Sequence, residues 1–293
     1  MNRRLLVAVV TIFAGGLLRS APTFAKTLAE PVLLPVVTVE ACEGSLMSAE
    51  YLATLHENIF VVTRDFKSYR RSFGLRFMAF LANMRSGQVW IDFGSGQARA
   101  QLDFLAAQPA RGNWLGRFFQ RRLQMIALAL NYPKDTPPGY RYLRQKFEAS
   151  GEFEFKEGKR LDEMSDAEVP FFDLGTEYFG PLTYTFELSA DINKILRLMR
   201  SPVSSRYFFT ISETENIGTL IELRDGTRIP LSRWLAQQPG VDLQKIGSDG
   251  GGVETYFEMS KSGADVQVAD LEFKEYRKNG RGLVVWRVFR EKP

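Results

Sequence analysis

The chain has 293 residues, of which 45% are apolar, 25% are charged and 13% are aromatic. These proportions are typical of a globular protein with a sizeable core, and they exclude a disordered chain, a collagen and a coiled coil. The single cysteine, Cys42, excludes an internal disulfide and a cysteine-cluster metal site, and the single histidine, His56, argues against a multi-histidine metal site or a Ser–His protease. No metal site is expected.

The amino-terminal residues have the pattern of a secretory signal peptide. Arg3 and Arg4 precede an apolar run, Leu5 to Leu18, and small residues follow up to Ala25. We therefore expect an exported protein, periplasmic or secreted, whose residues 1–25 are removed. The apolar run is short for a membrane span, although an uncleaved amino-terminal anchor is the alternative.

Cleavage changes the charge of the protein. It removes three arginines and no acid, so the formal net charge falls from +4 to +1. A nearly neutral surface does not favour a nucleic-acid partner, and none is expected. The expected mature state is a monomer without a membrane span.

The rest of the chain divides into three parts. Residues 26–47 contain prolines and no helical period, which predicts a linker or a short edge strand. Residues 48–87 carry apolar side chains at mostly helical spacing, which predicts two or three amino-terminal helices. Residues 88–293 form the main domain.

Apolar runs and helical patterns alternate through the main domain. Strands are predicted at residues 89–91, 125–130, 153–155, 171–174 and 207–211, and helices at residues 97–107 and 191–200. Strand–helix alternation of this kind implies a parallel sheet covered on both faces. Residues 271–289, with Asn279-Gly280 at the turn, predict a β-hairpin. The predicted fold is α/β, a Rossmann-like three-layer sandwich in which a mostly parallel sheet ends in this antiparallel hairpin.

The most informative segment follows the first strand and reads Asp92-Phe93-Gly94-Ser95-Gly96. Glycines after a strand allow a sharp turn and a close approach to a ligand, and the amino end of the next helix offers free N–H groups. A carboxylate two residues before the first glycine disfavours a pyrophosphate and favours a ligand that carries an amino or sulfonium cation. The segment resembles the first motif of class I S-adenosylmethionine (SAM) methyltransferases, with Ala98 in place of a third glycine.

The resemblance extends over about residues 75–290. Residues 172–185 are similar to the fourth-strand motif of that family and to the loop that lines the methyl-transfer site. The resemblance implies that SAM is the cofactor. It also implies cofactor-binding roles for Asp92, Gly94, Gly96, Asp173 and Asn131, and it identifies no catalytic residue.

Two positions depart from the pattern of the family. Asn131 stands where the family usually has an acid for the ribose hydroxyls, and Lys159 stands where an acid often contacts the adenine amino group. Asp162 would reach that place only in a shifted loop.

Three functions therefore stay open. The first is a SAM-dependent methyltransferase acting on an unidentified small-molecule or protein acceptor. The second is a non-enzymatic exported or envelope protein on a degenerate methyltransferase fold, because SAM is made in the cytoplasm and the two acids are missing. The third, a nicotinamide-dependent oxidoreductase, is disfavoured by Asp92 and by the lack of an acid after the second strand.

Overall fold

The computed structural model describes residues 69, 71–81, 83–106, 123–129, 134, 136–178, 180–185, 187–214, 217–249, 254–277 and 283–289. The predicted signal peptide and linker, most of the segment predicted as amino-terminal helices, and Asn131 lie outside these residues. Among the helices that are described, none combines the length and the apolar character needed to cross a membrane.

Six helices and twelve strands are described. The helices are α1 (71–81), α2 (Arg99–Ala106), α3 (Pro138–Ala149), α4 (Pro181–Tyr184), α5 (Leu188–Leu198) and α6 (Leu231–Leu235). The strands are β1 (Val89–Phe93), β2 (Gln124–Ala129), β3 (Phe153–Glu157), β4 (Leu174–Tyr178), β5 (Arg206–Ile211), β6 (Glu213–Thr214), β7 (Ile217–Glu222), β8 (Arg228–Pro230), β9 (Val241–Ser248), β10 (Thr255–Lys261), β11 (Leu271–Arg277) and β12 (Leu283–Val288).

The main sheet has seven strands in the order β3-β2-β1-β4-β5-β10-β9. Strands β1 to β5 are parallel, and β10 and β9 complete the sheet as an antiparallel pair. The chain order reverses at β1, because β2 and β3 lie on one side of it and β4 and β5 on the other. Crevices at such a reversal, beyond the carboxyl ends of the strands, are where ligands bind in open α/β sheets.

Strand β1 is buried on both faces, which explains the apolar run Val89-Trp90-Ile91 at its start. Ile91 and Phe93 belong to the core under α5, α6 and the second sheet, whereas Trp90 belongs to the core under α1, α2 and α3. The sheet thus lies between two layers, and the predicted Rossmann-like three-layer fold is confirmed.

The predicted position of the terminal hairpin is wrong, because the hairpin belongs to a second, smaller sheet. It has the order β11-β12-β7-β6, with β8 paired to β7. The predicted hairpin exists as β11 and β12, but β12 pairs in parallel with β7 instead of completing the main sheet. A hairpin pattern is local and does not specify which distant strand it joins. Strand β9, which forms the true edge, is too polar and exposed to give an apolar signal.

Candidate ligand site

The turn after β1 has the backbone conformation that its glycines predict. Gly94 and Gly96 have φ values of 72° and 55°, in the left-handed region that glycine adopts without steric cost. Ala98 also has a positive φ, 55°, which is unusual for a residue with a side chain. The Ser95 amide donates to the Leu128 carbonyl oxygen at 2.9 Å, which attaches the turn to the end of β2.

The turn packs directly against the loop that follows β4. A Cβ on Gly94 would come within 2.5 Å of the Gly180 Cα, and a Cβ on Gly180 would come within 2.5 Å of the Phe93 carbonyl oxygen. Side chains at either position would force the two backbones apart. Both glycines are therefore needed for the contact that joins the ends of β1 and β4.

Glu177, at the carboxyl end of β4, holds this loop. Its Oε1 accepts hydrogen bonds from the Gly180 and Leu182 amides at 2.9 and 2.8 Å, and the Tyr207 hydroxyl donates to its Oε2. The side chain is fully buried, and desolvation raises the pKa of its carboxyl to about 8. This acid lies within the segment that the sequence singled out, but sequence reasoning did not assign it a role.

A cavity of about 290 Å³ lies at the carboxyl edge of the sheet, where the strand order reverses. It is lined by the end of β1 and its turn, the end of β2, the loop after β3, and residues between Gly180 and Asp191. Most of the wall is apolar and includes Leu128, Leu161 and Met164. Gly94 and Gly96 both line the cavity, as the sequence predicts for a ligand-binding turn.

Asp191, in the first turn of α5, is the one acid among the described residues that line this cavity. Its side chain is 2% exposed, and its Oδ2 accepts a hydrogen bond from the Thr185 hydroxyl. Its Oδ1 has no hydrogen-bond partner among the described residues. Desolvation raises the pKa of the carboxyl to about 7. Sequence reasoning treated this helix only as an apolar face and missed Asp191, because the burial of its side chain is not visible in a helical period.

Two of the described residues that line the cavity are cations, and both have partners. Lys159 forms an ion pair with Glu168, and the Arg160 guanidinium lies 3.1 Å from a carboxylate oxygen of Asp162. Asp162 therefore pairs with Arg160, on the same loop.

Asp92 is placed differently from what its position before the glycines suggests. Its side chain is 1% exposed and does not line the cavity. Its Oδ1 accepts hydrogen bonds from the Tyr69 hydroxyl at 3.0 Å and from the Thr176 hydroxyl at 2.9 Å, while Trp90 Nε1 donates to that same threonine oxygen. Desolvation raises the pKa of Asp92 to about 7. The carboxyl thus joins β1 to β4 and to Tyr69, and its predicted contact with a ligand stays a prediction.

Asp173 lies at the opposite edge of the sheet from the cavity. The sequence placed the fourth strand at residues 171–174, but β4 begins at Leu174, so Asp173 precedes the strand. Its Oδ2 accepts a hydrogen bond from the Val89 amide at 2.9 Å and lies 3.2 Å from the Arg200 guanidinium. The structure therefore does not bring Asp173 together with Gly94 and Gly96. The predicted bounds of the strand are wrong because Phe171 and Phe172 give an apolar pattern although they precede β4.

No known protein-family model and no curated protein matches the chain. Solved structures that are similar to it include an rRNA methylase from Streptococcus thermophilus, with 12% identity over 62% of this chain and 92% of that chain and a TM-score of 0.38. Another is TrmN from Thermus thermophilus, with 17% identity over 63% of this chain and 47% of that chain and a TM-score of 0.38. A third is the glycopeptide N-methyltransferase MtfA complexed with sinefungin, with 13% identity over 64% of this chain and 85% of that chain and a TM-score of 0.41.

The order of the strands and the position of the cavity define the class of protein without these comparisons. The described residues form a Rossmann-like α/β domain with a ligand-sized cavity beyond the carboxyl ends of its parallel strands.

Proposed function

We propose that the protein is a SAM-dependent methyltransferase that transfers a methyl group to an acceptor not yet identified. The observation that supports this most is the position of the glycine turn. Gly94 and Gly96 form part of the wall of a cavity that lies where the strand order reverses, and the wall also carries a buried carboxylate. An apolar cavity with a few polar groups is the usual form of a cofactor site.

The residues of the cavity fit the adenosine part of SAM. Leu128, Leu161 and Met164 offer apolar surface for a purine ring, and Asp191 offers an acceptor for an N–H or O–H group. A Cβ on Gly96 would meet no atom within 4 Å, so the space beside this glycine is open to a ligand. The volume is near the lower end of the range for small-molecule sites, about 300–1,000 Å³, which suits a nucleoside.

When bound, SAM supplies an electrophilic methyl group on a sulfonium. The chain's own contribution is to hold the ligand in one orientation, so that a nucleophile is aligned with that methyl group. The fixed backbone of the turn, attached to β2 through Ser95 and to the β4 loop through Gly94 and Gly180, is suited to that role.

The second candidate is a non-enzymatic exported protein on a degenerate methyltransferase fold. The observation that favours it is the placement of Asp92, whose carboxyl accepts two internal hydrogen bonds and does not line the cavity. Such a protein would keep the fold and the cavity and bind another ligand or a partner.

Calorimetric titration with SAM and with S-adenosylhomocysteine distinguishes the two candidates. We expect the wild-type protein to bind, and Gly96→Val to weaken binding at least tenfold, because the side chain would fill space beside the cavity. Gly226→Val is the matched control, since Gly226 also has a positive φ, 88°, and open space around it but does not line the cavity. A folded wild-type protein that binds neither compound at millimolar concentration would contradict the proposal and favour the second candidate.

We further propose that the chain is exported, loses residues 1–25, and functions as a monomer that does not bind nucleic acid. The support is the basic amino-terminal pair, the apolar run that follows it, and the formal charge of +1 after cleavage. Mass spectrometry of the protein from its native host should find Lys26 at the amino terminus. An intact Met1 would exclude cleavage and leave the membrane-anchored form as the alternative.

A further inference from the structure

One oxygen of the Asp191 carboxyl, Oδ1, is buried in the wall of the cavity and lacks a hydrogen-bond donor among the described residues. A buried carboxylate oxygen without a hydrogen-bond donor is costly, and native structures contain few of them. Asp191 Oδ1 has no partner among the described residues, although the side chain is only 2% exposed. The residue also lines the cavity. A donor on a molecule bound in the cavity is therefore a natural partner for this atom.

The orientation of the carboxyl is fixed by its neighbour. Thr185 Oγ1 accepts a hydrogen bond from the Glu187 amide at 2.9 Å and donates to Asp191 Oδ2. Because one oxygen is held in this way, the carboxyl presents the other in a defined direction. A carboxyl whose orientation is fixed before a ligand binds is suited to select that ligand through a single hydrogen bond.

Within the described part of the chain, no lysine or arginine forms an ion pair with the Asp191 carboxyl. Lys194 lies on the same helix, but its Nζ donates to the backbone carbonyl oxygens of Leu161 and Met164, which attaches the loop after β3 to α5. Arg160 forms its ion pairs with Asp162 and Glu163. The loop that forms one wall of the cavity is thus held in place, and none of the described residues donates a hydrogen bond to Asp191 Oδ1.

We propose that Asp191 Oδ1 accepts a hydrogen bond from a neutral donor group of a nucleoside bound in the cavity, and that this bond determines which ligands bind. The proposal rests on the proposed function and assigns the acceptor role to a residue of α5. A purine nucleoside offers two sources of donor, the exocyclic amino group and the ribose hydroxyls. The apolar wall formed by Leu128, Leu161 and Met164 supplies the complementary surface for the ring.

The test is a set of titrations with S-adenosylhomocysteine and three nucleosides, applied to the wild-type protein, Asp191→Asn and Asp242→Asn. The asparagine can still accept the hydrogen bond from Thr185 through its carbonyl, which turns its NH₂ group to the place of Oδ1 and replaces an acceptor by a donor. We expect Asp191→Asn to weaken the binding of S-adenosylhomocysteine and of adenosine at least tenfold. Asp242→Asn makes the same chemical change at an exposed residue of β9 that does not line the cavity, and this variant should bind as the wild type does. Circular dichroism and thermal unfolding show that each variant is folded.

The other two nucleosides identify the donor. Purine riboside lacks the exocyclic amino group, and 2′,3′-dideoxyadenosine lacks the hydroxyls. For the compound that lacks the group bound by Asp191, wild type and Asp191→Asn should differ less than twofold. Equal affinity of the wild type and a folded Asp191→Asn for S-adenosylhomocysteine would overturn the proposal and leave the methyltransferase function standing. If the wild type binds none of the four compounds, the proposed function and this inference both fail.

Discussion

Replacing Glu177 by glutamine should change how the stability of the protein depends on pH. The pKa of this buried carboxyl is raised from its ordinary value of 4.5 to about 8, first of all by desolvation. Between pH 5 and pH 7 the folded protein therefore holds a proton on Glu177 that the unfolded chain has lost. The contribution of this proton to the free energy of unfolding is fully present below pH 4.5. It falls as the pH rises and is lost once the pH passes about 8.

The magnitude follows from the linkage relation. A difference of one bound proton changes the free energy of unfolding by about 1.4 kcal/mol per pH unit, so the contribution of Glu177 falls by about 3 kcal/mol from pH 5 to pH 7. The glutamine of the variant is neutral at every pH. Its carbonyl oxygen can accept the hydrogen bonds of the Gly180 and Leu182 amides, and the Tyr207 hydroxyl can accept one from its NH₂ group. The variant should thus be close to the wild type at pH 5 and more stable than it at pH 7.

Urea denaturation at a series of pH values measures this difference. The free energy of unfolding of Glu177→Gln minus that of the wild type should rise by about 3 kcal/mol from pH 5 to pH 7. Asp92 and Asp191 are present in both proteins, so their contributions largely cancel in the difference. The exposed Glu187→Gln serves as the control and should give a flat difference. A flat difference for Glu177→Gln as well would refute the argument that burial keeps this carboxyl protonated in the folded protein.

The remaining predictions concern two contacts of β1 and its turn, the packing of Gly94 against Gly180 and the hydrogen bond from Tyr69 to Asp92. Gly94→Ala should destabilise the protein by more than about 2 kcal/mol, because its Cβ would lie 2.5 Å from the Gly180 Cα at a φ of 72°. Gly96→Ala should cost only the backbone strain, about 1 kcal/mol, because no atom lies within 4 Å of its Cβ. If urea denaturation gave the same loss of stability for Gly94→Ala and Gly96→Ala, the contact between Gly94 and Gly180 would not be tight. Tyr69→Phe removes one of the two hydroxyls that donate to Asp92 and should cost about 1–3 kcal/mol at pH 8, where that carboxyl is ionised. The loss should be smaller at pH 5, and a loss independent of pH would assign it to packing.

The sequence alone predicted the features that depend on neighbouring residues. The apolar run of β1, the glycine turn after it and the start of α2 all lie within residues 89–106, and each has a local physical cause. The terminal hairpin was recognised for the same reason, since a tight turn between two apolar runs is a local pattern. Strand–helix alternation was sufficient to predict the Rossmann-like class.

Tertiary structure alone decided which side chains meet. Asp92 is joined to Tyr69, 23 residues earlier, and to Thr176, 84 residues later. The resemblance implied a cofactor-binding role for Asp173 together with the glycines, but β4 begins at Leu174, so Asp173 lies at the other edge of the sheet. Asp191 reaches the cavity only because α5 packs beside the loop after β3. Such contacts depend on the order of strands in the sheet and on burial, and both are set by the packing of distant segments, which a local pattern in the sequence does not encode.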